Sequence, residues 1–212
     1  MILHDYWRSS AAFRVRIALA LKGIEPQRRY VHLRKGEQRA GAFLAKNPQG
    51  LVPLLEDGAL TLPQSLAIIE YLEETHPSPP LLPAKPAERA WVRALALAVA
   101  CDIHPLNNLR VLRYLDSELH ADEAARDRWY AHWVAEGLAA IEKMIESRPG
   151  PGPFCLGESP TIADVCLVPQ VFNAWRYRVP VEPYPLVAGI VEECLKLPAF
   201  DLSQPSRQPD AE

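Results

Sequence analysis

Long apolar runs are missing from this chain. The stretch from Ala94 to Ala100 is as apolar as the sequence gets, far below the roughly 20 residues a membrane-spanning helix needs. The first residues lack the basic-then-apolar order of a secretory leader, so no membrane association and a cytosolic location are expected. Positive charge is not in excess either. The 23 lysines and arginines stand against 26 aspartates and glutamates, for a net charge of -3. That balance supplies no basic face for nucleic acid or an anionic membrane leaflet. Cysteine is sparse and scattered: Cys101, Cys155, Cys166 and Cys194 form no C-x-x-C pair. Neither a zinc knuckle nor a dithiol redox centre is thereby specified, no metal site is expected, and buried reduced thiols are the better reading. Internal repeats and low-complexity segments are also lacking.

What is present is ordered in two ways. Met1 to His4 reads as a short strand, and Phe13 to Leu21 places Phe13, Ile17, Ala20 and Leu21 at helical spacing until Gly23 stops it. Arg28 to Leu33 alternates as a second strand. Gly50 to Glu56 and Leu60 to Leu62 flank a turn at Asp57-Gly58, and Ser65 to Glu74 forms an amphipathic helix. Pro77 to Pro86 then carries five prolines, which cannot continue a helix and mark a boundary between domains. Beyond it lie long helices over Ala87 to about Leu115, Ala121 to Ser147, Thr161 to Trp175 and Leu186 to Leu195. The expected organisation is an α/β domain over residues 1–80, a linker at 81–86 and an all-α domain over 87–212. Thr161, with Asp164 three residues on, has the form of a capping box and a structural role. Pro205 to Glu212 is expected to be a loosely held tail.

Three short motifs have chemical content. In Val52-Pro53 a proline interrupts a run that otherwise reads as a central strand. A cis peptide resolves the conflict and turns the Val52 backbone toward an extended peptide ligand; an edge-strand proline is the competing reading. Gln64-Ser65 opens a helix, so an amide, a hydroxyl and the positive helix end meet where a carboxylate could be held; Ser65 could equally be an ordinary first-turn residue. Ser9-Ser10-Ala11-Ala12 opens the first helix. A thiolate at such a place is stabilised by backbone donors and by the helix dipole. The chain has no cysteine there, so any thiolate must come from a ligand.

The run from Tyr6 to Gly23, the run Leu66-Ala67-Ile68-Ile69-Glu70-Tyr71-Leu72-Glu73-Glu74, and the run Asp164-Val165-Cys166-Leu167-Val168-Pro169-Gln170-Val171 resemble zeta-class glutathione transferases. That family includes maleylacetoacetate and maleylpyruvate isomerases, and the likeness spans nearly the whole chain. The resemblance implies the glutathione transferase architecture, a thioredoxin-like N-terminal domain followed by an all-helical one, in a homodimer that binds glutathione. By position, Ser9, Ser10 and Ala11 resemble the family's thiol-facing turn, while Gln38, Val52, Gln64 and Ser65 resemble its glutathione contacts. Asp102, His104, Asn108 and Arg110 do so from the helical domain, Asp102 across the dimer interface. The family usually has Ser-Ser-Cys at the turn where this sequence has Ser9-Ser10-Ala11, which puts in doubt any activity that needs that cysteine.

The resemblance further implies a reaction in which glutathione thiolate adds to a cis double bond conjugated with a carbonyl, the resulting single bond rotates, and the thiolate departs. Fixed positive charge near the carbonyl and carboxylate oxygens should lower the barrier. Arg8, Arg110 and Arg176 are the candidates for gripping a small dicarboxylate-type substrate, because guanidinium forks match carboxylates. In the family's fold their regions converge between the domains. His104 could shuttle a proton, although a hydrogen bond toward glutathione is the preferred role. Arg14 and Arg16 are expected in surface or interdomain ion pairs, with no chemistry. Two other functions compete: a detoxifying transferase or dehalogenase, and a non-catalytic glutathione-fold module, against which the retention of Ser9, Gln64 and Ser65 argues.

Overall fold

Ile2–Asp5 form strand β1, whose Leu3 is fully buried between two neighbours: β2 (Gln27–Tyr30), parallel, with Leu3 opposite Arg28, and β3 (Leu54–Asp57), antiparallel, with Leu3 opposite Leu55. Strand β4 (Leu60–Pro63) closes the far edge, giving the order β2-β1-β3-β4. The hairpin joining β3 to β4 turns at Gly58 and Ala59, one residue later than expected, with Gly58 at a φ of 57°. A glycine tolerates that left-handed backbone without a Cβ clash.

The computed structural model describes residues 1–212 and divides into two compact units, Met1–Leu81 with Leu195–Glu212, and Leu82–Cys194. In the first, α1 (Ser10–Leu21) and α3 (Ser65–Thr75) pack on each other, with α2 (Gly41–Leu44) in the connection from β2 to β3. Phe13, Val15, Ile17 and Ala18 of α1 and Ile68, Ile69 and Leu72 of α3 are all core side chains, each at most 1 % exposed. Burial of each large side chain contributes roughly 1.5–3 kcal/mol. This is a thioredoxin-like α/β unit, in agreement with the expected fold class. Residues 195–212 belong to it, through α9 (Pro198–Asp201), which packs on α1, and a docked final segment. The expected loose tail is therefore corrected. Gln208 is 6 % exposed and donates to the carbonyls of Leu202 and Gln204.

The second unit is helical: α4 (Pro86–Leu97), α5 (Leu109–Ser117), α6 (Glu123–Glu146), α7 (Ile162–Arg176) and α8 (Pro185–Leu195). The single helix expected from Ala87 to Leu115 is broken. After α4 the chain widens into π-type turns over Ala98–Ile103, tightens into a 3-10 turn over His104–Asn107, and restarts at Asn108. Pro105 is the physical cause, because its ring lacks an amide donor and clashes with the preceding helical carbonyl. Gly137 of α6 makes room for the widened segment, since a Cβ there would lie 2.3 Å from Ile103 Cδ1. Helix α7 starts with the expected capping box. Asp164 is fully buried and accepts from Thr161 N (2.7 Å), Thr161 Oγ1 (2.8 Å) and Cys155 N (2.7 Å). Cys155, Cys166 and Cys194 are buried as expected, whereas Cys101, within the π-type turns, is exposed.

Candidate functional site

β1 and β4 each run antiparallel to β3, so they point the same way and the helices that follow them begin at the same end of the sheet. That topology places Ser9 and Ser65 as the openings of α1 and α3. Ser9 is the N-cap of α1: its Oγ accepts from Ala12 N at 3.2 Å, and its own amide donates to Tyr6 O at 2.9 Å. One lone pair of the hydroxyl is thus engaged and its proton is left to donate outward. Ser10 and Ala11 form the first turn, where backbone donors and the positive end of the dipole collect. Arg14, one turn further, donates from Nη1 to Ser65 Oγ at 3.3 Å and so ties the two helix openings together.

Gln64 precedes α3 in a strained conformation, φ 74° and ψ 118°, which side-chain-bearing residues rarely adopt. Its Nε2 donates to Gln49 Oε1 at 2.8 Å, and Ser65 beside it is 6 % exposed. The Val52-Pro53 bond is cis, as expected, and Val52 packs with Tyr6, Val31, Phe43 and Leu54. Gln38, 5 % exposed, donates to Leu33 O at 3.2 Å while its Oε1 is buried with no partner in the protein. An acceptor in that state is costly unless a donor reaches it. Together these residues fit an extended peptide-like ligand that has amide donors, a carboxylate and a thiol. Arg8, at the mouth of the turn, holds its guanidinium 5.2 Å from the Trp7 ring centroid.

The turn is supported from behind by charges that sequence reasoning placed elsewhere. Arg14 and Arg16 are only 2 % and 1 % exposed, so neither makes the expected surface pair. Arg16 pairs with Asp5 at 2.7 Å inside the first unit, and donates to Tyr6 O (3.4 Å), Trp7 O (3.1 Å) and Ser203 O (3.1 Å). Burial pulls the Arg16 pKa down while Asp5 opposes that shift. An arginine on an otherwise apolar helix face was the one available signal for this pair.

In the second unit, Asp102 lies exposed in the π-type turns and His104 opens the 3-10 turn, half-buried. Asn108 caps α5 by accepting from Arg110 N at 3.1 Å, and Arg110 is exposed on that helix, separate from α4. Arg176 is the last residue of α7 rather than a residue beyond it, a position where a cation is favoured by the helix dipole. Its guanidinium sits 5.1 Å from the Tyr177 centroid, and Tyr177 stacks on Tyr130 at 3.5 Å and 13°. Tyr130 is 3 % exposed, and burial pushes its hydroxyl pKa well up. Asn107 donates to Tyr130 O at 3.4 Å, and Trp129 Nε1 to Leu106 O at 2.9 Å. Tyr130 and Tyr177 therefore link the segment bearing His104 and Asn108 to the end of α7 bearing Arg176. Sequence reasoning passed over both tyrosines.

Residues 3–80 match the family model of the glutathione S-transferase N-terminal domain, and residues 123–193 that of the C-terminal domain. A maleylacetoacetate isomerase of Rhizobium meliloti is 49% identical, over 97% of this chain and 96% of its own length. The holo structure of a bacterial maleylpyruvate isomerase, described as a zeta-class glutathione transferase, superposes with a TM-score of 0.98 at 48% identity, covering 100% of both chains. A maleylacetoacetate isomerase structure from Methylobacterium extorquens AM1, with bound malonate and glutathione, gives 0.97 at 41% identity, again over 100% of both chains.

Proposed function

The chain belongs to the glutathione S-transferase family, in its zeta class, and from that premise we propose that it is a glutathione-dependent cis-trans isomerase of maleylpyruvate or maleylacetoacetate, acting in aromatic catabolism. The observation that carries the reading is the Ser9-capped start of α1, which has Ala11 and no cysteine of its own, so that a thiolate held there would be the ligand's.

Ser9, Ser10 and Ala11 would hold the thiol end of glutathione. Gln64 and Ser65 would hold a carboxylate, and Val52 and Gln38 the peptide groups. When bound, glutathione supplies a thiolate that adds reversibly to the conjugated cis double bond and is released unchanged after rotation. The Ser9 hydroxyl, its lone pair occupied by Ala12 N–H, donates its proton to sulfur and favours the ionised thiol. Arg8, Arg110 and Arg176 grip the substrate's carboxylates and the oxygen on which negative charge develops. His104 and Asn108 hydrogen-bond toward glutathione from the helical unit. The active form in this reading is a homodimer to which Asp102 contributes across the interface. No helix is long and apolar enough to cross a membrane, and the cytoplasm is the compartment we assign.

The malonate-bound relative favours small dicarboxylates over apolar electrophiles. The relatives' activities likewise favour isomerisation over transfer or halide displacement. Purified protein mixed with each substrate should abolish the cis compound's ultraviolet absorbance only when glutathione is added. Absence of a glutathione-dependent change with both substrates would sink the assignment.

A further inference from the structure

The turn Tyr6-Trp7-Arg8-Ser9 leaves β1 before α1 begins, so Tyr6 and Trp7 lie outside both ladder and helix, while the Ser9 carbonyl already accepts from Phe13 N at 2.8 Å. The backbone groups of Tyr6 and Trp7 are nonetheless engaged. Tyr6 N donates to Asp5 Oδ1 at 2.7 Å, and Tyr6 O receives Ser9 N and Arg16. Trp7 O receives Arg16 Nη2 at 3.1 Å, and Trp7 N donates to Asp210 Oδ2 at 3.0 Å. Asp210 is the outlier, lying 203 residues further along the chain.

We propose that Asp210 is a positioning residue for the thiol turn, and that residues 202–212 form a brace whose function is to fix the backbone presenting Arg8, Ser9 and Ser10. The proposal rests on the reading of that turn as the glutathione thiol site.

The brace has its own anchors. Gln208 accepts from Arg28 at 2.5 Å as well as donating to the Leu202 and Gln204 carbonyls. Arg28 also lies 3.6 Å from Asp5 Oδ2, so Asp5 faces both arginines. Arg16, through Ser203 O, grips the brace and the turn with one guanidinium. Glu212 pairs with His32 at 2.8 Å, and His32 lies 5.3 Å, ring to ring, from Tyr6. Asp210 thus closes a ring of contacts around Trp7 that begins at Asp5. Its remaining oxygen, Oδ1, is buried without a partner, and burial pushes its carboxyl above the ordinary range. A surface solubilising charge would show neither property. What the turn requires of Asp210 is one hydrogen-bond acceptor aimed at Trp7 N, and Asn supplies the same acceptor without the charge.

The test compares Asp210→Ala with Asp210→Asn in the full chain by amide exchange over residues 6–13 without glutathione, by glutathione affinity, and by the two Michaelis constants. In Asp210→Ala, losing a backbone bond to a carboxylate should speed exchange at Ser9 and Ala12 by about tenfold or more and weaken glutathione binding similarly. KM for the cis substrate should rise as well, because the loosened turn also presents Arg8. Asp210→Asn should stay close to the native protein in all four. Native exchange and affinity in Asp210→Ala would overturn the proposal. So would Asp210→Asn as impaired as Asp210→Ala, or an Asp210→Ala protein that does not fold at all. Exchange is read without ligand, so a native protein inert toward both substrates would refute the isomerase reading while leaving the exchange result to decide the brace.

Discussion

Replacing Ser9 separates the cap it makes from the thiol contact we propose for it, because one oxygen would serve both. Ser9→Ala removes the acceptor held 3.2 Å from Ala12 N, a loss of about 1 kcal/mol and roughly 2–4 °C in melting temperature for a chain of this size. It also removes a hydroxyl donor to the thiolate. A hydrogen bond to a charged group contributes about 1.5–3 kcal/mol. At about 1.4 kcal/mol per pKa unit, bound glutathione should titrate roughly one to two units higher than in the native protein. Ser9→Asp dissociates the effects. Aspartate caps helices as well as serine, so stability is kept, yet a carboxylate near sulfur disfavours the thiolate by a further 1–4 kcal/mol or so at 4 Å. Ser9→Thr keeps both the cap and the donor. Ultraviolet titration of the bound thiolate, paired with thermal melting, gives both quantities from one set of proteins. The expected order of thiol pKa is native and Thr lowest, Ala higher, Asp highest, while only Ala melts early. A thiol pKa that tracks melting temperature across the series, or that is unmoved in Ser9→Ala, would refute the assignment of the hydroxyl to sulfur.

Asp164→Ala strips the acceptor from two buried amides, those of Thr161 and Cys155. At about 1–3 kcal/mol each, urea denaturation should report a loss of roughly 3 kcal/mol or more, and a loss under about 1 kcal/mol would contradict the capping account. Gln64→Gly relieves the positive φ of that residue, so stability should rise by about 1 kcal/mol while glutathione affinity falls. A gain or loss in both together would show that the strain has no part in binding. Arg176→Ala should raise KM for the cis substrate about tenfold or more, the scale of a charge-assisted pair, with glutathione affinity nearly unchanged. Equal damage to both would remove its role.

Local chemistry was legible in the sequence, and the long-range partners were not. The Ser9 turn, the cis Val52-Pro53 bond, the hairpin and the Thr161–Asp164 box are each written within a few adjacent residues. The break between α4 and α5 was hidden because Ala98–Ile103 keeps a helical apolar rhythm, and only Pro105 and Asn108 signal the interruption. Arg16 read as a surface or interdomain ion-pair residue because its partners, Asp5 and the Ser203 carbonyl, lie on separate segments that folding brings together. The same distance concealed the docking of Asp210 on Trp7. A polar segment after the final helix looks loose until its acceptors find buried donors.

The central claim is that glutathione acts as a recycled cofactor at the Ser9 turn. It is tested most directly by giving the enzyme cis substrate in large excess over glutathione, and following both the trans product and the free thiol to completion. The account predicts full conversion with the thiol concentration restored. Conversion that halts at one product per glutathione, or a thiol lost in proportion to substrate consumed, would contradict it.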